Sequence, residues 1–205
     1  MTDTRTFQDE IGGWAAGGPG DAARDLAEGL GLRTAVLLEG LSDLAAVDAL
    51  AARRGRDLAG EGVAVVSMGG AMNVARYAAL LGPPGLGLRL TGLCDDREQS
   101  YYERAFLRAG APHRDFFVCA ADLEDELIRA LGTQAVEEII AAEGDLRAWQ
   151  TFLQQPAQLT RPRHGQLRRF LGTKKGRKIR YGTLLVQALG PGQVPAPLDD
   201  LLASV

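Results

Sequence analysis

Short apolar runs alternate with stretches of helical spacing through the middle of the chain. The apolar runs span residues 34–40, 63–70, 86–96 and 116–122. The helical stretches that follow them span residues 43–55, 73–82, 100–110 and 123–132. Strands that are buried on both faces read as continuous apolar runs, as these do. Repeated strand–helix alternation is typical of a parallel sheet with helices on its faces. The sequence therefore predicts an α/β fold for residues 33–132, with a central parallel sheet of about four strands.

The segment before this core is rich in Gly and Ala. Gly12, Gly13 and the Gly-Gly-Pro-Gly run at 17–20 are expected to break any long helix or strand. Asp21 is a suitable N-cap for a short helix over 21–29. We therefore predict that residues 1–32 form a lead-in segment with one short helix.

The segment after the core, residues 133–205, carries helical patterns and no further apolar strand. A Gly at 144 predicts a break between two helices. A basic turn over 173–178 and a final helix over 179–190 are expected further on. We predict that the whole segment is a helical, basic C-terminal extension of the sheet domain.

Charge is distributed unevenly between the two parts of the chain. Residues 1–146 hold 24 acidic and 13 basic residues, a net charge of −11. Residues 147–205 hold 10 basic and two acidic residues, a net charge of +8. Such segregation indicates either a contact with a polyanion or a solvated basic face that docks on the acidic half. The sequence leaves both interpretations open.

Several classes of protein are disfavoured by composition. No apolar run approaches the roughly 18 residues that cross a bilayer, and the polar N-terminus has no export pattern. Cys94 and Cys119 lie inside apolar runs and are expected to be reduced core thiols. We therefore predict a cytoplasmic protein without a disulfide framework.

Acidic residues stand where the predicted strands end. Glu39 follows the first apolar run, Asp95 and Asp96 follow the third, and Asp122 follows the fourth. Ligands of open parallel sheets bind beyond the carboxyl ends of the strands. Carboxylates that converge there repel one another unless a cation lies between them, and Mg²⁺ prefers hard oxygen ligands. The pattern predicts a magnesium site at this edge of the sheet.

Helix capping is the alternative explanation for some of these acids. Asp43 could cap the helix after the first strand, and Asp122 the helix after the fourth. Glu124 and Asp125 suit the dipole of that helix. Glu39 and Asp95 lie outside any predicted helix, so capping does not explain them. These two are the firmest candidates for the site.

Four motifs in order resemble the Toprim domain of the overcoming lysogenization defect (OLD) family of nucleases. They are Glu39-Gly40-x-x-Asp43 after the first strand, VVSMGGAMNVARYAALL (65–81), FFVCAADLEDELIRALG (116–132) and GRKIRYGTLLVQAL (176–189). The similarity extends over roughly residues 33–190. It implies a Rossmann-like Toprim fold, a nuclease activity on DNA, and Mg²⁺ or Mn²⁺ as cofactor, with two ions.

The resemblance also implies residue roles. Glu39 and Lys178 would be catalytic, with Lys175 as the rival of Lys178 for stabilising charge on the phosphate. The implied metal ligands are Glu39, Asp43, Asp95 and Glu124. Further candidate ligands are Asp96, Glu98 and Asp122. The candidate nucleic-acid contacts in the basic segment are Arg161, Arg163, Arg168, Arg169, Lys174, Lys175 and Arg177.

Two departures from the family pattern matter. The Asp-x-Asp of the family reads Asp95-Asp96-Arg97 here, so its last acid is missing and Asp96 or Glu98 would have to replace it. The chain also lacks the G-x-x-x-x-G-K-[ST] motif of an ATPase, which usually precedes the domain in OLD nucleases.

The function predicted from the sequence is a metal-dependent endonuclease. It would work with a separate ATPase subunit or alone, and as a homodimer. The alternative is a non-catalytic Toprim module that binds nucleic acid or a partner. Gly69 and Gly70 either present backbone amides to a phosphate or make a tight turn.

Overall fold

The structure is a computed structural model that describes residues 2–112 and 114–205, apart from the side chains of residues 2–4 and 175. Its strands form one sheet and are β1 (Thr34–Leu38), β2 (Val63–Ser67), β3 (Arg89–Asp95) and β4 (Phe117–Cys119). All neighbouring pairs are parallel and the order is β2-β1-β3-β4. The predicted α/β fold with four parallel strands is therefore confirmed.

Helices flank the sheet on both faces. In chain order they are α1 (Thr2–Ala15), α2 (Asp21–Gly29), α3 (Leu41–Arg53), α4 (Val74–Leu81), α5 (Gln99–Arg108), α6 (Leu123–Leu131), α7 (Thr133–Ala142), α8 (Leu146–Leu153), α9 (Pro156–Leu159), α10 (Arg163–Leu171), α11 (Lys175–Ala188) and α12 (Ala196–Ser204). Two short 3-10 helices, Ala71–Asn73 and Asp96–Glu98, precede α4 and α5.

Alternating residues of the central strand face two apolar layers, because successive side chains of a strand point to opposite faces. Val36 and Leu38 of β1 pack with apolar residues of α3, α6, α7, α8 and α10 to α12. Ala35 and Leu37 pack with α1, α2, α4 and α5 on the other face. The C-terminal helices thus belong to the core beneath the sheet, although the sequence predicts them as an extension.

The order of the strands places a crevice between β1 and β3. The chain leaves β1 towards β2 on one side and returns past β1 to β3 on the other. Leu38 lies opposite Ser67 at the end of β2 and opposite Leu93 of β3, and β3 continues for two more residues to Asp95. Ligands of such sheets bind outside the carboxyl ends at this point of reversal.

The N-terminal segment differs from the prediction. Helix α1 continues through Gly12 and Gly13 instead of breaking there. Phe7, Ile11 and Ala15 are spaced by four residues and are all buried on this helix. Burial of an apolar stripe supplies most of the stability of a short helix, and here it outweighs the cost of two glycines.

The predicted basic turn over 173–178 is also wrong in extent, because α11 begins at Lys175. Other expectations are met: Cys94 and Cys119 are buried and free, and Gly144 separates α7 from α8 with a positive φ of 75°. Within the described residues, no helix is long and apolar enough to cross a membrane.

Candidate active site

Three carboxylates converge at the crevice between β1 and β3. Glu39 directly follows β1, Asp95 ends β3, and Glu98 ends the 3-10 helix that follows. Each offers an oxygen that lies within 4.8 Å of the oxygens offered by the other two. Each side chain is partly buried. The structure therefore brings together the two acids singled out in the sequence and one of the further candidates.

The short helix Asp96–Glu98 explains why Glu98 and not Asp96 joins this cluster. A 3-10 helix has about three residues per turn, so Glu98 returns to the side of Asp95. Asp96 and Arg97 are exposed on this turn. Of the two residues that could replace the missing acid of the family pattern, only Glu98 lies beside Glu39 and Asp95.

The cluster is electrostatically strained without a cation. Burial, together with Asp122, Glu39 and Glu98, raises the pKa of Asp95 to about 7. Burial and the neighbouring Glu39 carboxylate raise the pKa of Glu98 to about 7. The buried Oε2 of Glu98 has no hydrogen-bond partner among the described residues. Converging carboxylates and an unpaired buried oxygen fit a hard divalent cation such as Mg²⁺.

Asp43 lies beside this cluster at the start of α3. Its Oδ2 accepts a hydrogen bond from the backbone N–H of Gly40 at 2.9 Å, so it caps the turn after Glu39. Burial raises the pKa of Asp43, while Lys178 opposes the rise. Asp43 thus has a capping role at the start of α3, and the nearby Glu39 carboxylate adds to the burial that raises its pKa.

Glu124 and Lys178 form an ion pair across the site. Glu124 is only 5% exposed at the start of α6, and its Oε1 lies 3.3 Å from Nζ of Lys178 on α11. Burial raises the pKa of Glu124 to about 7, although Lys178 lowers it. Burial alone would lower the pKa of Lys178, but Glu124 and Asp43 outweigh it and raise that pKa. The ammonium group therefore stays charged at the edge of the acidic site.

Asp122 has structural partners. Its Oδ1 accepts from the backbone N–H of Asp125 at 2.8 Å and caps α6. Its Oδ2 lies 2.6 Å from the guanidinium of Arg168. Capping and the ion pair with Arg168 therefore occupy both carboxylate oxygens of Asp122.

The comparisons with known proteins agree with this geometry. Residues 32–96, which carry Glu39, Asp43 and Asp95, match the family model described as overcoming lysogenization defect protein-like, TOPRIM domain. This chain contains an OLD-like Toprim domain. No curated protein matched the chain.

Solved structures extend the similarity of this Toprim domain over most of the chain. The C-terminal region of the Xanthomonas campestris pv. campestris OLD protein is 25% identical, with a TM-score of 0.63, and the match covers 85% of this chain and 92% of that chain. The C-terminal region of the Burkholderia pseudomallei OLD protein is 22% identical, with a TM-score of 0.60, covering 84% and 96%. The chain thus has a Toprim-type α/β fold with an acidic cluster at its sheet edge.

A basic cleft of about 510 Å³ opens beside the acidic site of the Toprim domain. Arg161, Arg168 and Arg169 line it together with Glu124 and Lys178. Arg161 precedes α10, and Arg168 and Arg169 lie in its last turn. The cleft therefore joins predicted nucleic-acid contacts to the candidate catalytic lysine.

The remaining basic candidates are placed differently. Arg163 pairs with Glu137 at 3.1 Å, away from the lining of this cleft. Lys174 is exposed at the N-cap of α11. The side chain of Lys175 lies outside the described part of the structure.

The structure contradicts the prediction that Arg177 contacts nucleic acid. Its side chain is buried, with Nε 3.4 Å from Oδ2 of Asp145. Its guanidinium also lies 4.0 Å from the ring centroid of Phe170. A guanidinium that is paired with a carboxylate and covered by an aromatic ring presents no free charge to a polyanion, so Arg177 holds α11 in place.

A second cleft, which we call the α1 cleft, has Glu39 in its lining. It measures about 560 Å³, and its lining comes from α1, the turns after β1 and β2, α4 and α11. The residues are Gln8, Asp9, Gly12, Glu39, Gly40, Leu41, Ser42, Ser67, Met68, Gly69, Gly70, Tyr77, Lys178 and Ile179. The contribution of α1 is not predicted from the sequence, because Gly12 and Gly13 are expected to end any helix there. A buried stripe at Phe7, Ile11 and Ala15 was the signal that could have revealed it.

Gly69 and Gly70 make a tight turn in this cleft. Both have positive φ, 70° and 133°, which favours glycine. The N–H of Gly70 donates to the carbonyl oxygen of Glu39 at 2.9 Å. That N–H is therefore occupied, and the turn fixes the backbone of Glu39.

Proposed function

We propose that this chain is a metal-dependent nuclease that hydrolyses phosphodiester bonds of DNA, with Mg²⁺ or Mn²⁺ as its cofactor. The observation that carries the proposal is the cluster of Glu39, Asp95 and Glu98, whose oxygens lie within 4.8 Å of one another at the sheet edge. The orphaned Oε2 of Glu98 supports a cation there. The family similarity supports the reaction class.

The acidic residues divide into two groups around the proposed reaction centre. Glu39, Asp95 and Glu98 would hold one ion, and Asp43 with Glu124 would contribute to a second. Metal ions at such a site lower the pKa of bound water and stabilise both oxygens of a displacement at phosphorus. Asp95, Glu98 and Glu124, with pKa values of about 7, would each lose any bound proton when a cation binds.

Lys178 would stabilise the phosphate as negative charge develops on it. Its ammonium is charged and 40% exposed, and it is held 3.3 Å from Glu124 by that ion pair. Lys178 also lines both clefts, so a DNA strand that passes from one cleft to the other would contact it. A fixed cation at the developing charge costs no reorganisation during the reaction.

The basic cleft would bind the phosphate backbone next to this centre. Arg161 and Arg169 are exposed, and Arg168 is partly occupied by Asp122. Guanidinium groups bind phosphate oxygens through paired N–H donors, which suits a strand that follows the cleft. A separate ATPase subunit, a homodimer and a cytoplasmic location stay predictions from the sequence.

Nicking of supercoiled plasmid tests the proposal. With Mg²⁺ or Mn²⁺ the parent protein should nick the plasmid, and EDTA should abolish the product. Glu39→Gln should lower the rate by about a hundredfold or more, because it removes a negative oxygen from the reaction centre. Glu28→Gln is the matched control, since Glu28 is exposed on α2 and does not belong to the cluster.

Two results would contradict the assignment. Nicking by Glu39→Gln at the parental rate would show that the site lies elsewhere. DNA binding without nicking under either metal would favour the alternative, a Toprim module that binds nucleic acid and has no chemistry of its own.

A further inference from the structure

The α1 cleft has a different chemistry from the basic cleft. Leu41, which is 42% exposed, and Ile179 give this cleft apolar surface. Met68 and Tyr77 also line it but are almost completely buried, with 2% and 7% exposure. Among the described residues that line it, Lys178 is the only cation. Such a lining suits a flat, uncharged group better than a chain of phosphates.

The volume of the cleft fits a ligand of nucleoside size. At about 560 Å³ it falls within the range of small-molecule sites. Glycine keeps one wall open, since an added Cβ at Gly12 of α1 would meet no atom within 4 Å. The backbone of α1 can therefore approach a planar ligand closely at this position.

Lys178 connects the two clefts, because it lines both. If the phosphates of a DNA strand bind along Arg161 and Arg169, the scissile phosphate of that strand would lie next to Lys178 and the acidic cluster. The nucleoside attached to that phosphate would then meet the α1 cleft, which Glu39 also lines. A base can enter a pocket of this kind only when it is unpaired and unstacked.

We propose that the α1 cleft binds the base of the nucleotide adjoining the scissile phosphate, so that the enzyme acts on an unpaired nucleotide. This inference rests on the proposed nuclease function and adds the class of substrate to it. Helix α1 is then a wall of the substrate site, and the apolar side chains of Leu41 and Ile179 would contact the base, with Met68 and Tyr77 packed next to them in the lining. Stacking of a base on such surfaces is independent of its sequence.

Methyl NMR of methionine tests base binding without any cleavage. The chain has three methionines; Met68 lines the cleft, whereas Met72 is 73% exposed and does not line it. Deoxyadenosine 5′-monophosphate in Mg²⁺ should shift the Met68 signal through the ring current of adenine and leave Met72 unchanged. Deoxyribose 5-phosphate, which lacks the base, should give no such shift of Met68.

Two glycine variants provide a matched pair. Gly12→Leu places a side chain at the wall of the cleft and should weaken nucleotide binding about tenfold or more through lost stacking. Gly13→Leu is the control, because Gly13 is exposed, does not line the cleft and also has space for a Cβ. Both changes favour the helix and should leave the melting temperature unchanged or higher.

The outcomes separate this inference from the nuclease proposal. A missing Met68 shift in a protein that nicks plasmid would overturn the base site and leave the nuclease intact. Equal nucleotide affinity of Gly12→Leu and the parent would overturn it as well. A Met68 shift that Gly12→Leu abolishes, in a protein that does not nick, would support the base site and refute the nuclease.

Discussion

Glu98 shows how a local turn brings an acid to the cluster although the sequence lacks the last Asp of the family pattern. The acid expected two residues after Asp95 is replaced by Arg97, which is exposed. The 3-10 helix Asp96–Glu98 returns the chain by one turn and delivers Glu98 to Asp95 and Glu39. A shift of one position along the sequence is thus compensated by backbone geometry.

This arrangement predicts different effects for two neighbouring acids. Glu98→Gln should reduce metal-dependent nicking by roughly ten- to a hundredfold, because it removes one charged ligand from the cluster. Asp96→Asn, a similar change two residues earlier, should leave the rate close to that of the parent, since Asp96 is exposed. Initial rates of plasmid nicking compare the two. A greater loss in Asp96→Asn would reverse the assignment of the third acid.

Helices α10 and α11 carry most of the basic residues of the C-terminal segment, and these residues interact in two different ways. Arg177 and Arg180 on α11 pair with Asp145, which fastens this helix to the start of α8. Arg168 and Arg169 on α10 line the basic cleft. Both interpretations of the charge asymmetry, docking on acidic residues and contact with a polyanion, thus have residues that fit them.

The arginines of the cleft should determine the salt dependence of DNA binding. Replacing Arg161 and Arg169 together with Gln should reduce the slope of log affinity against log salt by about 1.4 to 1.8, since two phosphate contacts are lost. The matched control replaces Arg108 and Arg147 with Gln, which changes net charge equally at exposed positions outside the cleft. Fluorescence anisotropy with labelled DNA measures both slopes. Equal slopes for the two double variants would place DNA elsewhere on the surface.

On the scale of the whole molecule, the acidic cluster costs stability whenever it is fully ionised without a cation. Asp95, Glu98 and Glu124 have folded-state pKa values of about 7, above their ordinary values of 3.8 and 4.5. The folded state therefore binds protons more tightly than the unfolded chain. The stabilising effect of these protons is complete below about pH 4 and is lost as the pH rises through about 7.

Metal binding should reverse that loss. At about pH 8, where protons do not compete with the cation for the carboxylates, excess Mg²⁺ should raise the melting temperature clearly. At about pH 5, where the carboxylates bind protons, the increase should be small. Thermal unfolding with Mg²⁺ and with EDTA at both pH values measures the difference. In Glu39→Gln the increase at about pH 8 should shrink, whereas Glu28→Gln should retain it. An equal increase at both pH values would contradict binding by these carboxylates.

The sequence by itself determined the sheet and the edge at which to look. Continuous apolar runs predicted the parallel strands, because buried strands need apolar side chains on both faces. Glu39 and Asp95 could be singled out because each directly follows such a strand and lies outside any predicted helix, so that capping does not explain it. These inferences depend on neighbours in the chain, which the sequence displays.

Only the tertiary structure decided what depends on residues far apart in the chain. It selected Glu98 over Asp96 and buried Arg177 against Asp145. It also made α1 a wall of the second cleft, although local propensity at Gly12 and Gly13 opposed a helix. Burial of Phe7, Ile11 and Ala15 against the sheet outweighs that propensity, and packing energy of this kind is not visible in a local pattern.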